Sequence, residues 1–265
     1  MLSFNAVIFD MDGVITRTVA VHSLAWKRMF DEYLLRRADA GGEAFREFTH
    51  GRDYLSFVDG RPRYQGVEAF LRSRGIALPF GAPSDSPETE TVCGLGNRKN
   101  EFFNRVLQTD GVGVYESTIR LIRDLRAQEV KVGVATSSKN CLPILEKAGV
   151  AELFETRVDG VVSAELGLKG KPEPDIFTTA VSNLGVTPAR AVVVEDAVSG
   201  VRAGAAGGFG LVIGVAREHN GPELKANGAD VVVADLAEMD VARLDRLMWS
   251  AALERAEVVV TKVMK

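Results

Sequence analysis

The chain has 265 residues, of which 46% are hydrophobic and 26% are charged, and its formal net charge is −4. We expect a soluble globular protein with one large core or two modest domains. The slightly acidic balance argues against nucleic acid or an acidic membrane surface as a partner, and the apolar runs are too short to span a membrane.

The first predicted element is a buried strand over residues 6–9, and it ends at two aspartates. Asp10 and Asp12 are spaced i, i+2, so both side chains lie on one face of an extended chain. At the carboxyl end of a strand in an open α/β sheet, that face looks into the ligand crevice. Two carboxylates this close need a cation, or one must keep its proton. With Gly13 allowing a sharp turn, the pattern indicates a metal, a nucleophile and an acid–base group; the alternative is a loop that simply ends a strand.

Residues 18–112 are predicted to contain helices and no strand. Helical stretches are expected at Val19–Arg37, Gly42–Phe48, Val67–Arg74 and Asn97–Leu107. The stretch Pro79–Gly96, which includes Cys93, is rich in Pro, Ser, Gly and acidic residues, which predicts a surface loop. We expect hinges at the two crossings, residues 16–18 and 109–114.

From Val114 onward, helix and strand patterns alternate, which predicts a parallel sheet wrapped by helices on both faces. The predicted strands are Lys131–Ala135, Val158–Val162, Ala191–Glu195, Leu211–Val215 and Val231–Val233. The predicted helices are Tyr115–Gln128, Cys141–Ala148, Asp175–Leu184, Val198–Ala206 and Val241–Lys265. The last helix carries an apolar stripe that either packs on the core or meets a partner.

Three later segments place further polar chemistry beside this sheet. Residues 136–140 follow a strand and carry hydroxyls, a lysine and an amide. At the start of a helix, these groups are suitable hydrogen-bond donors to a bound phosphate. Lys171 precedes a proline and is held on a rigid loop as a preorganised cation. Glu195 and Asp196 end another strand and offer hard oxygen ligands for magnesium. Each segment alone has an ordinary alternative, namely an N-cap, a loop lysine or a solvated strand end.

Taken in order, these four motifs resemble those of the haloacid dehalogenase (HAD) superfamily of aspartyl-phosphate phosphotransferases. Within that superfamily the chain is most similar to the β-phosphoglucomutase group, over roughly residues 4–240. The resemblance implies an α/β fold with a Rossmann-like parallel sheet core and an inserted all-helical cap. We assign the core to residues 1–17 and 113–265, and the cap to residues 18–112.

The resemblance also implies a role for each motif residue. Asp10 would be the nucleophile that becomes an aspartyl-phosphate, and Asp12 the acid–base group that serves the leaving and incoming oxygens. Thr136 and Lys171 would bind the transferring phosphoryl group. The expected cofactor is Mg²⁺, with ligands from Asp10, the backbone carbonyl of Asp12, Glu195 and Asp196.

Further residues are expected to bind the substrate. Ser138, Lys139 and Asn140 match the part of the mutase group that grips the non-reacting phosphate. Arg63 matches a cap arginine that binds the same phosphate, a role that suits the planar guanidinium group. The alternative is that Arg61 and Arg63 are solvated arginines on the surface.

Two more cap residues match the group. Lys99 matches a residue that touches the sugar, with an exposed helix face as the alternative. His22 matches a histidine tied to hinge closure, with a packed or capping role as the alternative. The chain departs from the group at Asp59, where a lysine is frequent, and at Arg17, where the group has an aspartate; both departures bear on substrate identity.

The favoured hypothesis is a magnesium-dependent mutase that moves phosphate between positions 1 and 6 of β-glucose through a bisphosphate intermediate. A sugar-phosphate phosphatase of the same fold is the closest alternative. A non-catalytic binding domain is a remote one, because Asp10, Asp12, Lys171 and Asp196 are all intact. A dehalogenase would have no need for the metal site.

Two cysteines, Cys93 and Cys141, support no disulfide framework, and the N-terminus shows no signal-peptide pattern. We therefore expect a cytoplasmic location. The expected partner is a small-molecule sugar phosphate, without nucleic acid or membrane, and the expected assembly is a monomer or weak homodimer.

Overall fold

The computed structural model describes residues 2–41 and 44–263, and it divides into two compact units. The helical unit comprises Thr18–Gly113. The sheet unit comprises Met1–Arg17 together with Val114–Lys265.

The helical unit is built around an aromatic core. Its elements are α1 (Val19–Asp39), a π-helical segment (His50–Val58), α2 (Arg63–Ser73) and α3 (Val92–Asp110). Trp26 and Phe30 lie one turn apart on α1, and their ring centroids are 5.4 Å apart. The ring of Phe30 lies 4.1 Å from that of Phe70 on α2, so this buried cluster joins the two helices.

The helix predicted over Gly42–Phe48 is wrong where the structure describes it. Residues 44–48 are not helical, and Gly42 and Glu43 lie outside the described residues. Side chains of α1 hold this segment instead. Asp31 accepts a hydrogen bond from the Phe48 N–H at 2.7 Å, and Lys27 donates to the Phe48 carbonyl at 2.9 Å. These bonds satisfy backbone groups that a helix would otherwise pair.

The loop predicted over Pro79–Gly96 is also wrong at its end, because α3 already begins at Val92. Thr91 caps the helix by accepting a hydrogen bond from the Gly94 N–H at 2.9 Å, and Cys93 is fully buried within it. Two glycines near the start of α3 allow close packing. A Cβ at Gly94 would overlap the Thr89 carbonyl, and one at Gly96 would lie 2.8 Å from the Tyr64 ring.

The sheet unit confirms the predicted parallel α/β fold. Within the described residues, six parallel strands form one sheet in the order β3-β2-β1-β4-β5-β6. The strands are β1 (Ala6–Phe9), β2 (Lys131–Ala135), β3 (Thr156–Val158), β4 (Ala191–Glu195), β5 (Leu211–Val215) and β6 (Val231–Val233). The helices are α4 (Glu116–Ala127), α5 (Cys141–Lys147), α6 (Gly160–Glu165), α7 (Asp175–Asn183), α8 (Val198–Ala206), α9 (Gly221–Ala226) and α10 (Val241–Val263).

The centre of this sheet is the short strand β1. Ile8 is paired with Gly133 on β2 and with Val193 on β4. Every residue of β1 and β4 is buried, as expected for parallel strands covered by helices on both faces. The strand order reverses between β1 and β4, and ligands of open α/β sheets bind outside the carboxyl ends of the strands at such a switch point.

The strand predicted over Val158–Val162 is wrong beyond its first residue, Val158. Strand β3 ends at Val158, and α6 begins at Gly160. The Asp159 carboxylate accepts hydrogen bonds from the N–H groups of Val161 and Val162, at 2.9 and 3.0 Å, and so caps a helix. This cap outweighs the strand preference of the valines. Helix α9 follows β5 and was not predicted.

The apolar stripe of α10 packs largely on its own unit. Leu244, Met248 and Ala251 are buried, and the helix packs against α4 and β5. Leu247 is half-buried and Ala252 is exposed. Among the described helices, none combines the length and apolar character that crossing a membrane requires.

Candidate active site

The carboxyl ends of β1, β2 and β4 bring the predicted motif residues together. Asp10 follows β1, and its N–H donates to the Val194 carbonyl of β4 at 2.9 Å. Thr136 follows β2, and its N–H donates to the Val158 carbonyl of β3 at 3.0 Å. Because these strands are neighbours in the sheet, residues far apart in sequence meet at one edge.

Lys171 lies at the centre of this site, and its side chain is completely buried. Its Nζ donates to Oδ1 of Asp10 at 2.5 Å and to Oε1 of Glu195 at 2.8 Å. The ammonium group also lies 4.9 Å from the ring centroid of Phe177 on α7. A cation held by two carboxylates and an aromatic ring has a fixed position, as the sequence predicts.

Burial and charge shift the pKa values of the Asp10–Lys171 pair. Burial raises the pKa of Asp10 well above its usual value, and the charge of Glu195 adds to this, while Lys171 opposes it. Burial alone would lower the pKa of Lys171, but the charges of Asp10 and Glu195 outweigh it and raise this pKa. Lys171 is therefore a permanent cation.

Three carboxylates of this site are arranged as metal ligands. Oxygen atoms of Asp10, Glu195 and Asp196 lie within 4.8 Å of one another, and all three residues are buried. Lys171 offsets part of their charge, so the cluster retains negative charge that a cation would neutralise. Hard carboxylate oxygens suit Mg²⁺, and the residues fit this ion.

Two glycines make room for these carboxylates. Gly13 has φ +82°, and a Cβ at this position would overlap the Asp196 carboxylate. A Cβ at Gly200 on α8 would overlap the Glu195 carboxylate. The Glu195 carboxylate also accepts a hydrogen bond from the Asp196 N–H at 2.9 Å through Oε2. The carboxylates of Glu195 and Asp196 therefore pack directly against the backbone of these glycines.

The loop after β2 forms the donor side of the site. Thr136 is buried, and its Oγ1 accepts a hydrogen bond from the Ser138 N–H at 3.2 Å. The Ser138 hydroxyl accepts one from the Asn140 N–H at 3.2 Å, and its carbonyl accepts one from the Gly160 N–H at 2.9 Å. Lys139 and Asn140 are half-buried. Local hydrogen bonds thus fix the conformation of the loop that carries the residues predicted to bind phosphate.

In the helical unit, the half-buried His22 contacts the buried Lys99. The Lys99 Nζ and His22 Nδ1 are 2.6 Å apart, and the His22 ring stacks on Phe103 with centroids 4.1 Å apart. The same ammonium lies 5.1 Å from the Trp26 ring and 4.7 Å from that of Phe103. Lys99 is 3% exposed, so the alternative of an exposed helix face is wrong.

Arg63 is half-buried, whereas its neighbour Arg61 is exposed. The Arg63 guanidinium donates to Oδ1 of Asn100 at 2.8 Å through Nη2. Burial lowers the pKa of Arg63 from its usual value. The alternative of a solvated surface arginine therefore describes Arg61 but not Arg63.

Two residues on the loop after β5 contact this site and could not be predicted from the sequence. Arg217 donates through Nε to the Gly13 carbonyl at 3.0 Å. Asn220 donates through Nδ2 to the Asp196 carbonyl at 3.1 Å. Because their partners are backbone carbonyls, no sequence motif identifies these two residues. The one available indication was their position directly after β5, the strand next to β4.

Residues 4–208 match the profile of the haloacid dehalogenase-like hydrolases. The chain belongs to this family. It is 46% identical over 238 residues to the β-phosphoglucomutase of Mycobacterium bovis, covering 89% of this chain and 91% of that one. It is 31% identical over 248 residues to the β-phosphoglucomutase of Bacillus subtilis, covering 91% and 93% of the two chains.

The same fold is found in the crystal structure of a β-phosphoglucomutase from Clostridium difficile, with a TM-score of 0.72 and 21% identity. That match covers 94% of this chain and 99% of the other. The sequence relatives place the chain in the β-phosphoglucomutase-like group of its family. It is an enzyme of phosphoryl transfer, a phosphotransferase or a phosphatase.

Proposed function

We propose that this enzyme is a magnesium-dependent β-phosphoglucomutase that converts β-glucose 1-phosphate to glucose 6-phosphate through an aspartyl-phosphate. The observation that carries the chemistry is the buried cluster of Asp10, Lys171, Glu195 and Asp196 at the strand ends. The choice of substrate rests on the 46% identity to a protein named β-phosphoglucomutase. We place the protein in the cytoplasm, as a monomer or weak homodimer.

Asp10 is the proposed nucleophile. One carboxylate oxygen of Asp10 attacks phosphorus, and the bond between phosphorus and the ester oxygen breaks. Lys171 holds Oδ1 of Asp10 and so fixes the plane of the attacking carboxylate. Lys171 and the buried Thr136 then neutralise and bind the phosphoryl oxygens as charge moves onto them.

Asp12 is the proposed acid–base group. It gives a proton to the departing sugar oxygen and later takes one from the incoming sugar hydroxyl, so the proton count is restored over the cycle. Asp12 follows Asp10 by two residues and is half-buried, and such a group contributes typically about 10²–10⁴-fold to the rate.

We propose that Asp10, the backbone carbonyl of Asp12, Glu195 and Asp196 would hold the magnesium ion. When bound, it would neutralise developing charge on the phosphoryl oxygens. The chain's own contribution is to hold these ligands in place by the contacts of Gly13 and Gly200 described above.

The remaining proposals concern substrate recognition. We propose a core of residues 1–17 and 113–265 and a cap of residues 18–112. We propose that Ser138, Lys139 and Asn140 of the core and Arg63 of the cap bind the non-reacting phosphate. We propose that Lys99 contacts the sugar and that His22 positions Lys99. The 2.6 Å contact between Lys99 and His22 supports this last assignment.

The mutase proposal is tested by supplying β-glucose 1-phosphate with Mg²⁺ and a trace of β-glucose 1,6-bisphosphate. We expect glucose 6-phosphate to appear faster than inorganic phosphate, and Asp10→Asn to abolish both products. If inorganic phosphate dominates at every bisphosphate concentration, the enzyme is a sugar-phosphate phosphatase.

A matched pair of arginine variants tests the second phosphate grip. Arg63→Ala is expected to slow transfer to glucose 6-phosphate about 10-fold or more while sparing hydrolysis of small phosphate esters, because these lack a second phosphate. The control is Arg61→Ala, at the exposed neighbouring arginine. Equal effects of the two substitutions would remove Arg63 from the binding site.

A further inference from the structure

The loop that follows β5, residues 216–220, contacts both segments that carry the site's carboxylates. Arg217 donates to the carbonyl of Gly13, the last residue of the Asp10–Gly13 segment, and Asn220 donates to the carbonyl of Asp196. We propose that Arg217 and Asn220 are positioning residues that hold these two carboxylate segments in the geometry that Mg²⁺ requires. This inference rests on the proposed function and adds two residues to its machinery.

Arg217 is held on several sides. Beside its bond to Gly13, its Nη1 donates to Oδ2 of Asp235 at 2.6 Å and to the Ala234 carbonyl at 3.3 Å. The guanidinium carbon lies 3.7 Å from the ring centroid of Tyr115. The side chain is 13% exposed. An arginine with this many contacts has little freedom, so the carbonyl it binds is also fixed.

The anchors of Arg217 are themselves rigid. Asp235 accepts a hydrogen bond from the Ala237 N–H at 2.7 Å and forms a capping box with Glu238. The Tyr115 N–H donates to the Ile15 carbonyl at 2.9 Å, close to the same aspartate-bearing segment. Arg217 therefore connects the Gly13 carbonyl to a capped turn after β6 and to the start of the α4 region.

Asn220 approaches the other carboxylate segment from the end of the same loop. Its carbonyl accepts a hydrogen bond from the Leu224 N–H at 3.0 Å, so the residue also begins α9. Between the two contact residues, His219 has φ +53°, a left-handed conformation that is costly for a residue other than glycine. A loop that keeps this conformation is constrained by its surroundings.

The two segments held by this loop touch each other directly. Gly13 packs so closely on the Asp196 carboxylate that a Cβ would overlap it. A small relative shift of the segments would change the spacing between the carboxylates of Asp10 and Asp196. Mg²⁺ demands near-ideal octahedral geometry, so it is sensitive to such a shift. Loss of groups that orient metal ligands typically costs about 10–100-fold in metal affinity or activity.

The test compares arginine and asparagine variants with matched controls. Arg217→Met keeps the apolar stem but removes the donors, and Arg190→Met is its control. Arg190 lies in the same unit before β4, where it donates to Oδ1 of Asn5 at 2.8 Å and to the Leu2 carbonyl at 3.1 Å. Asn220→Ala is paired with Asn227→Ala, whose Nδ2 donates to the Glu223 carbonyl at 2.8 Å.

Two measurements are made on each folded variant: the Kd for Mg²⁺ alone by calorimetry, and kcat and KM with β-glucose 1-phosphate. We expect Arg217→Met and Asn220→Ala to raise the Kd and lower kcat, each by about 10-fold or more, with little change in KM. Both controls should change thermal stability without changing Kd or kcat. Arg217→Lys should recover less than half of the lost kcat, because one ammonium cannot bridge Gly13 and Asp235.

Equal Kd values for Arg217→Met and Arg190→Met would overturn the inference, since a merely stabilising arginine would behave in this way. If Arg217→Met does not fold, Asn220→Ala decides the question by the same two measurements. If the wild type binds Mg²⁺ but transfers no phosphoryl group, the proposed function fails, and the Kd values still judge the positioning role separately.

Discussion

At the scale of single residues, Lys171 decides the electrostatics of the site. Replacing it with Met would leave the buried carboxylates of Asp10 and Glu195 facing each other without their cation. We expect the free energy of unfolding of the magnesium-free protein to fall by about 3–5 kcal/mol, the usual cost of breaking a buried ion pair from one side. Urea unfolding near neutral pH measures it.

The control is Lys131→Met, which removes an exposed lysine whose Nζ donates to the Leu184 carbonyl. Its loss should stay within about 1 kcal/mol, the net value of an ordinary hydrogen bond. Similar losses in the two variants would mean that Lys171 does not compensate the buried charges.

The charged residues predicted for the site lie together in the structure, whereas their supporting contacts could not be predicted from the sequence. Asp10, Lys171, Glu195 and Asp196 could be found because each ends a strand or precedes a proline, and the structure brings all four together. Arg217 could not be found, because it acts through the Gly13 carbonyl, and any residue type supplies a carbonyl. Such contacts depend on the fold.

At the scale of elements, Arg74 holds the helical unit together at the end of α2. It donates to the carbonyls of Arg46 and Glu47 at 3.0 and 3.2 Å and to Oδ1 of Asp53 at 3.1 Å. Arg74→Met would leave the buried Asp53 carboxylate with Thr49 and the exposed Arg52, whose Nε lies 3.6 Å away, as its partners. We therefore expect a loss of about 3 kcal/mol in the free energy of unfolding, the lower end for breaking a buried ion pair. Arg72→Met is the matched control on the same helix, because Arg72 is 78% exposed, and it should cost less than about 1 kcal/mol. Denaturant unfolding of both variants measures this, and equal costs would contradict it.

The same ion pair gives the protein a defined acid dependence. Burial alone would raise the pKa of Asp53, but the Thr49 N–H and the Arg74 side chain outweigh it and lower the pKa below the usual 3.8. The unfolded chain therefore binds the proton more readily, so this contribution to stability is present above pH 3.8 and is lost as the pH falls through the lowered pKa. Asp53→Asn should flatten the fall in unfolding free energy below about pH 4, and an unchanged slope would refute the assignment.

The elements were predicted well where the pattern was apolar and regular. Strands β2, β4, β5 and β6 have the predicted bounds, because buried parallel strands are short valine-rich runs. The predicted elements were wrong where a side chain that caps the N-terminus of a helix determines the local structure. Asp159 caps a helix that includes two valines predicted to lie in a strand, and Thr91 caps α3 in a segment whose glycines suggest a loop.

At the scale of the whole molecule, Mg²⁺ is expected to stabilise the enzyme by binding the folded state. At a concentration about 100 times its Kd, a ligand adds about 2.7 kcal/mol to the free energy of unfolding. We therefore expect a higher Tm in Mg²⁺, full dependence of activity on the ion, and inhibition by Ca²⁺, which prefers looser coordination.

The control for this prediction is Asp196→Asn, which removes one carboxylate of the cluster. Its Tm should respond to Mg²⁺ much less than that of the wild type. Full wild-type activity in the presence of a chelator would show that the carboxylate cluster is not a metal site.

The strand order also determines when the sheet can form during synthesis. Strand β1 is complete at Phe9, but its neighbours β2 and β4 begin only at Lys131 and Ala191. All of Thr18–Gly113 therefore leaves the ribosome before β1 has any partner. Strand β1, which Asp10 follows, is made before the other five strands of the described sheet, yet it must wait for β4 before both its edges are paired. A nascent chain that ends between Gly113 and Lys131 would contain the complete sequence of the helical unit and the apolar strand β1, but neither of the strands that pair with β1.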